Sequence, residues 1–538
     1  MAGNDSRWWT EYRRQQLKLQ PVGFEVIVRR SLRDVTKEYV THSSLACVSK
    51  IGDSQASAKS RLIPLVIFCF TVGMTCYFTV YTLSNALTKP LFVSMESSTY
   101  PIADIDFPAV AVCNVNRISK KALKEYAAKA YPYLAANNES LEEVEWWFYQ
   151  YGRLLDYTWD ERLSTHPFMD VRSKYHIKSS EIFKKMSRYY LCDVCQFAPK
   201  CEDMVLYCIW AGDKQNCSDL FAVRRTFRGH CCVFNYVLDY NSGGRPRNTI
   251  AKAKRQVEPG STAGLILYLD PMVNDYAYPV NHIQGFDIFL FDPAVYLDPY
   301  VGRVVHRVLE VNKAMFIELQ SVKQIATQEI RKYPLSTRNC LFRDESPAYG
   351  VMYSYSTCLI HCRIKTVQSL CKCTPYFLPA NVESTEICTM EKLRCLNKYK
   401  EKLLYIFPQT GNTEGLEVEM QDSLYCPDCL PDCEFTKHYT RVSKMPLGLD
   451  AFRAKEMPRR AFGNVDRDNK SLLFIYQSTS DGVLDRLDIV NYWFEILSNF
   501  GGFAGIVIGF SIISVYEILY FYCIRFCYQM YVNYKRYS

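Results

Sequence analysis

LIPLVIFCFTVGMTCYFTVYTL, residues 62–83, contains no charged side chain, and roughly 20 apolar residues are enough for a helix to cross a bilayer. A second apolar run, residues 489–522, is interrupted only by Glu495 and Glu517. Between the two lies a long polar stretch. This placement predicts a membrane protein that crosses exactly twice. Its parts are an N-terminal tail at 1–61, a transmembrane helix at 62–84, an extracellular domain at 85–488, a second transmembrane helix at 489–522 and a C-terminal tail at 523–538.

Charge orients the chain. Residues 1–61 carry eleven Lys or Arg against six Asp or Glu, and the last sixteen residues carry Arg525, Lys535 and Arg536 with no acid. Those tails account for the whole net charge of +8, and the positive-inside rule places both in the cytosol of a plasma-membrane protein. The first apolar run starts at residue 62 and is long enough to span, which argues against a cleaved signal peptide.

Of the 23 cysteines, Cys47, Cys69, Cys76, Cys523 and Cys527 fall in the tails and apolar segments. The other eighteen are Cys113, Cys192, Cys195, Cys201, Cys208, Cys217, Cys231, Cys232, Cys340, Cys358, Cys362, Cys371, Cys373, Cys388, Cys395, Cys426, Cys429 and Cys433. An even number in an outward-facing domain predicts disulfides, with their connectivity left open. Zinc is the competing reading of Cys371-x-Cys373 and Cys426-x-x-Cys429, but no His is placed to complete either site. Residues 264–269 and 286–291 read as buried strands. Residues 120–133 and 180–190 read as helices, and residues 241–246 and 409–415 as turns. The fold class is thus two transmembrane helices flanking one disulfide-rich α+β domain. Asn138, Asn216 and Asn469 head outward-facing glycosylation sequons, Asn138 being the best candidate, while Asn4 lies on the cytosolic side.

The second apolar segment is rich in small residues. Gly501, Gly505 and Gly509 recur every four positions, the pattern that lets helices approach closely, and Ser498, Gly502 and Ser511 add to it. Helix packing alone accounts for the glycines. It accounts less well for the serines and for Glu517, since an ionisable group at membrane depth marks a functional site by default. A pore-lining helix accounts for all of them.

Four stretches then carry a resemblance to the epithelial sodium channel/degenerin family, and to its pickpocket branch. Residues 501–511, GGFAGIVIGFS, followed by Glu517 look like the family's pore helix, whose hallmark is a Gly/Ser-x-Ser filter with an acid six residues on. Residues 107–114, FPAVAVCN, resemble its motif after the first membrane helix. Tyr355-Ser-Thr-Cys358 with Cys362, Cys371, Cys373 and Leu430-Pro-Asp-Cys-Glu434 resemble its cysteine-rich region. Residues 229–235, GHCCVFN, are similar to the pickpocket stretch. The resemblance implies a homo- or hetero-trimer with related subunits and a threefold pore. It also implies a filter at Gly509, Phe510 and Ser511, permeant Na⁺, no cofactor, amiloride-type block, and an unknown extracellular ligand or mechanical stimulus. Ser498 aligns with the position where such pores close, beside Gly501, Gly502 and Gly505. Two departures stand out. The family's cytosolic His-Gly gating motif is His42-Ser43 here, and the middle filter residue is Phe510 rather than a small one.

Lys252-Ala-Lys-Arg255 reads as a solvated loop in preference to a protease site. Arg29, Arg30, Arg33 and Lys37 suit either an ordinary basic tail or anionic lipid. No catalytic constellation, phosphate loop or nucleic-acid signature occurs, so an enzyme is not expected. The rivals are a trimeric ATP-gated channel, which the CLPDCE stretch argues against, a membrane-tethered ectoenzyme or adhesion receptor, and a non-conducting partner subunit.

Overall fold

The computed structural model describes residues 24–537 except 46, 53–56, 89–90, 135–139, 158, 160–196, 238–252, 281–282, 302, 346–352, 380–385, 408–413, 448–468 and 491. It falls into two units, Val93–Asp488 and the pairing of Met1–Phe92 with Ile489–Ser538.

Among the described residues, the large unit is built on thirteen strands: β1 (Leu91–Pro101), β2 (Ala109–Asn114), β3 (Val205–Trp210), β4 (Asp213–Gln215), β5 (Phe221–Thr226), β6 (Gly229–Phe234), β7 (Leu265–Leu269), β8 (Gly285–Phe291), β9 (Val305–Glu310), β10 (Lys313–Ala326), β11 (Phe435–Pro446), β12 (Ser471–Gln477) and β13 (Asp481–Ile489). The strands expected at 264–269 and 286–291 are β7 and β8, and the helix expected at 120–133 is Lys120–Leu134. The helix expected at 180–190 and the turn at 241–246 lie outside the described residues, as does most of the turn at 409–415. One sheet runs β5-β6-β2-β8-β9, and the other runs β1-β13-β10-β12-β7-β3-β4 with β11 on the free edge of β10.

β2 explains why residues 109–114 are apolar without alternation. Successive strand residues face opposite ways. Val110 and Val112 join Leu267, Ile317 and Leu473 between the sheets, while Ala109, Ala111 and Cys113 meet Ile360, Ile364 and Val367 of the helix Tyr355–Cys371. Both faces are dry, so every residue of β2 is buried.

Among the described residues, eight disulfides tie the unit together. Cys358 and Cys362, one turn apart on the helix, bond to Cys429 and Cys426. Cys340 pairs with Cys433, Cys371 with Cys395 and Cys373 with Cys388. All four cysteines of the zinc alternative are therefore cystines. Adjacent residues Cys231 and Cys232 of β6 bond to Cys113 and Cys201 respectively, and Cys208 bonds to Cys217. Cys192 and Cys195 lie outside the described residues.

β10 is the axis of the larger sheet. One edge pairs with β11 from Lys313 to Gln324. The other pairs in parallel, first with β12 (Ala314 opposite Leu472) and then with β13 (Val322 opposite Val483). Ser478, Thr479 and Ser480 bulge out between the two registers. Gly482 fits beside the bulge because any Cβ there would stand 2.8 Å from the Ser321 carbonyl oxygen. Opposite the bulge, Ser321 Oγ lies 2.7 Å from His438 Nδ1 and accepts a hydrogen bond from Gln477 Nε2 at 2.6 Å. Gln477 N–H in turn donates to Gln256 Oε1 at 2.9 Å. Burial pushes the His438 imidazole from its ordinary 6.5 down to about 4, with Asp292 and Asp106 opposing weakly. Elsewhere Arg363 and Asp298, both fully buried, form an ion pair that Tyr157 completes with a hydrogen bond to each.

In the smaller unit, Lys59–Thr88 is a 30-residue helical segment long and apolar enough to cross a membrane. The Thr75 and Thr79 hydroxyls donate to carbonyls one turn back, at 2.9 and 2.7 Å, which satisfies them where water is absent. The second apolar segment starts at Trp493, because Ile489 still belongs to β13, and it bends by 78° between Trp493–Ile508 and Ile512–Lys535.

Two outcomes follow. Cys358→Ser should lower surface abundance and ectodomain melting temperature, a native bridge being worth about 2–5 kcal/mol. Cys358→Ser/Cys429→Ser should do no further harm, whereas adding Cys362→Ser should; thermal melts of purified protein decide it. For His438, the folded state binds the proton less readily than the unfolded chain. Its neutral form thus contributes stability that is complete above 6.5 and is lost as pH falls from 6.5 toward about 4, at about 1.4 kcal/mol per pH unit. His438→Gln should flatten the stability–pH slope in that window, measured by denaturation at a series of pH values.

Candidate ion pathway

The break in the second apolar segment falls on the residues that resemble a filter. The helix Trp493–Ile508 ends at Gly509, whose φ of 75° is left-handed, a conformation glycine adopts without a Cβ penalty. Gly509 N–H donates to the Gly505 carbonyl at 3.0 Å and Phe510 N–H to the Ala504 carbonyl at 3.2 Å. Ser511 is extended and starts the next helix, Ile512–Leu519. Its Oγ accepts from Ser514 N–H at 3.3 Å, and its own N–H donates to Ser514 Oγ at 3.2 Å. The turn thereby satisfies the N–H groups of Gly509, Phe510, Ser511 and Ser514, donors that a helix break would otherwise leave open. The Phe510 ring lies 6.4 Å from that of Phe500.

On the helix before the break, Ser498, Gly501, Gly502 and Gly505 form one stripe, with Phe503 and Ala504 opposite. The Phe503 ring lies 4.6 Å from that of Phe78 of the long apolar helix, tilted by 49°, and Ala504 is buried. Ser498, Gly501 and Gly502 are exposed, and a Cβ added to either of these two glycines would meet nothing within 4 Å. At Gly505 it would come 3.6 Å from the Phe510 carbonyl oxygen. The small-residue face is thus left open by this chain.

Beyond the turn, Glu517 is engaged. Its Oε2 accepts from Ser44 N–H at 3.1 Å and from Ser44 Oγ at 3.0 Å. Ser44 Oγ also lies 3.1 Å from the Oγ of Ser514, which is fully buried. The sequence reading singled out Glu517 and the neighbouring pair His42-Ser43 but missed Ser44 and Ser514. The signal was present for Ser514, three residues after Ser511 at capping-box spacing. His42 ends the helix Phe24–His42, exposed, with Nδ1 3.0 Å from the Glu38 carbonyl oxygen. Ser43 is buried, and its Oγ accepts from Leu45 N–H at 3.2 Å.

In the large unit, Arg255 pairs with Asp106 at 2.7 Å, and the Lys254 carbonyl accepts from Phe107 N–H at 3.0 Å. That end of the basic stretch is anchored, while Lys252 lies outside the described residues. Asn216 and Asn469 are exposed, the former preceding the bonded Cys217. Asn138 lies outside the described residues.

A protein-family model described as the amiloride-sensitive sodium channel matches residues 39–521. The chain is similar to pickpocket protein 28 of Drosophila melanogaster, 23% identical over 92% of this chain and 79% of that protein. It is also similar to the sodium channel protein Nach of Drosophila ananassae (22%, covering 86% and 80%) and to acid-sensing ion channel 4-B of Danio rerio (22%, covering 89% and 74%). Since the match takes in the helix break, both apolar segments and the whole disulfide-bonded unit, the chain belongs to the amiloride-sensitive sodium channel family of membrane channels.

Proposed function

We propose that this chain is a pore-forming subunit of a sodium-preferring, amiloride-sensitive cation channel in the plasma membrane. The observation that carries the reading is the open stripe of Ser498, Gly501, Gly502 and Gly505 leading to the turn at Gly509, Phe510 and Ser511. Lys59–Thr88 and the bent segment from Trp493 are the two spans, with both tails cytosolic. Three copies, or one or two with related subunits, set their stripes around a threefold axis, where lipid leaves small residues free to approach. Carbonyl and hydroxyl oxygens of three turns then replace part of the water around Na⁺, and Glu517 adds negative charge below. A stimulus from outside, chemical or mechanical, moves the ectodomain and through it the spans. No catalytic role is proposed. A second reading, a subunit that conducts only beside a partner, is favoured by Phe510 in the filter and Ser43 in place of glycine. Recording current from the chain alone and then with related subunits tests the proposal, and no current in either setting would sink it.

Substitution at the turn should alter permeation. Ser511→Ala, or Gly509→Val against the left-handed backbone, should change sodium-over-potassium preference or abolish current at normal surface abundance. Unaltered preference and amiloride block in both variants would place the pore elsewhere.

Ser498→Phe should make the channel leaky at rest. Overpacking a close contact costs about 1–3 kcal/mol, enough to shift a closed-to-open equilibrium by about 5- to 150-fold. Resting conductance measured beside surface abundance checks it, and normal resting current at normal abundance would remove Ser498 from the gate.

A further inference from the structure

We propose that the N-terminal helix Phe24–His42 and the C-terminal helical segment 520–537, made of Tyr520–Arg525 and Phe526–Tyr537, form an antiparallel clamp whose closed state sustains conduction. Contacts pair Ser31 with Asn533, Thr36 with Tyr522, and Glu38 with Arg525. The earlier position, Ser31, meets the far end of the C-terminal segment, and the later positions, Thr36 and Glu38, meet its start, so the two run in opposite directions. The buried stripe of the N-terminal helix is Ile27, Ser31, Val35 and Tyr39, spaced by four, and Tyr39 sets its ring 5.6 Å from those of Phe521 and Tyr522.

Two polar contacts define the clamp. Asn533 Nδ2 donates to Ser31 Oγ at 2.9 Å with both residues buried. Sliding either helix by a turn would leave both unpaired in an apolar seam, which is how a single buried polar pair fixes helix register. The second contact is a fork. Arg525 Nε and Nη2 donate to the two Glu38 oxygens at 3.0 and 2.8 Å. Arg525 closes a π-helical stretch, Tyr520–Arg525, a distortion that recurs at functional sites. This ion pair is about a third exposed, so it steers closure and yields to small perturbations.

The clamp ends six residues before Ser44. Closed, it delivers Ser44 to Glu517 and to Ser514, which caps the same helix as Ser511. Released, it withdraws those donors from below the turn. The inference about current rests on the channel reading above and on both tails lying on one side of the membrane.

The test uses the full chain in cell membranes, with Cys523→Ser and Cys527→Ser in all versions. Ser31→Cys with Asn533→Cys should cross-link efficiently under mild oxidation. Glu38→Arg should abolish most of that cross-linking, and Glu38→Arg with Arg525→Glu should restore it. Current per surface channel, measured in the same charge variants without the added cysteines, should fall by about 5-fold or more for Glu38→Arg and recover in the double reversal. Ser31→Asp, which puts a charge into the seam, should mimic Glu38→Arg. Cross-linking and current indifferent to Glu38→Arg, or no recovery in the double reversal, would overturn the clamp. If the cross-linking pattern holds while the parent chain stays silent with and without related subunits, the conducting reading fails and the clamp stands.

Discussion

Lipid offers backbone groups no hydrogen bonds, and on the reading proposed above this constraint shapes the smaller unit. A helix broken where no water reaches has to find its own partners for the groups the break exposes. Here Gly509 turns left-handed, its N–H and that of Phe510 reach back to Gly505 and Ala504, and Ser511 and Ser514 cap the restart. The 78° bend and the serines that cap the restart belong to keeping that turn satisfied, and Ser44 adds a contact to Ser514, one of those serines.

The large unit answers a different demand. Its core is concentrated where β2 is dry on both faces and where the helix Tyr355–Cys371 is pinned by paired cystines. Buried charge is kept paired, as in Arg363, Asp298 and Tyr157, where removing one member strands the others. The polar chain from His438 through Ser321 to Gln477 and Gln256 occupies the one place where the long edge of β10 changes register. Satisfied hydrogen bonds there fix the bulge more specifically than apolar contacts would.

Much of this was legible in the residues. The apolar run at 62–83, the strands at 264–269 and 286–291, and the filter-like turn stood out because each is local. A run, a period or a glycine in a fixed spacing carries its own signal. Disulfide pairing was not legible, since which sulfur meets which depends on strands far apart in sequence. The contacts of Ser44 with Glu517 and of Glu38 with Arg525 were hidden for the same reason: hundreds of residues separate the partners. The 78° bend was also unread, because composition alone cannot separate a straight apolar helix from one that stops and restarts at Gly509.

Cys231 and Cys232 carry a consequence for biosynthesis. As neighbours on β6 they face opposite sides of the sheet, one toward Cys113 and the helical layer, the other toward Cys201 between the sheets. Slipping β6 by one residue would turn each sulfur to the other face and set one of them in its neighbour's place, so at most one bond, to the wrong partner, could close. Only a chain with β6 in its native register can therefore complete both bonds. A misaligned one is left with unpaired thiols, and the oxidised pair records that the strand was laid down correctly.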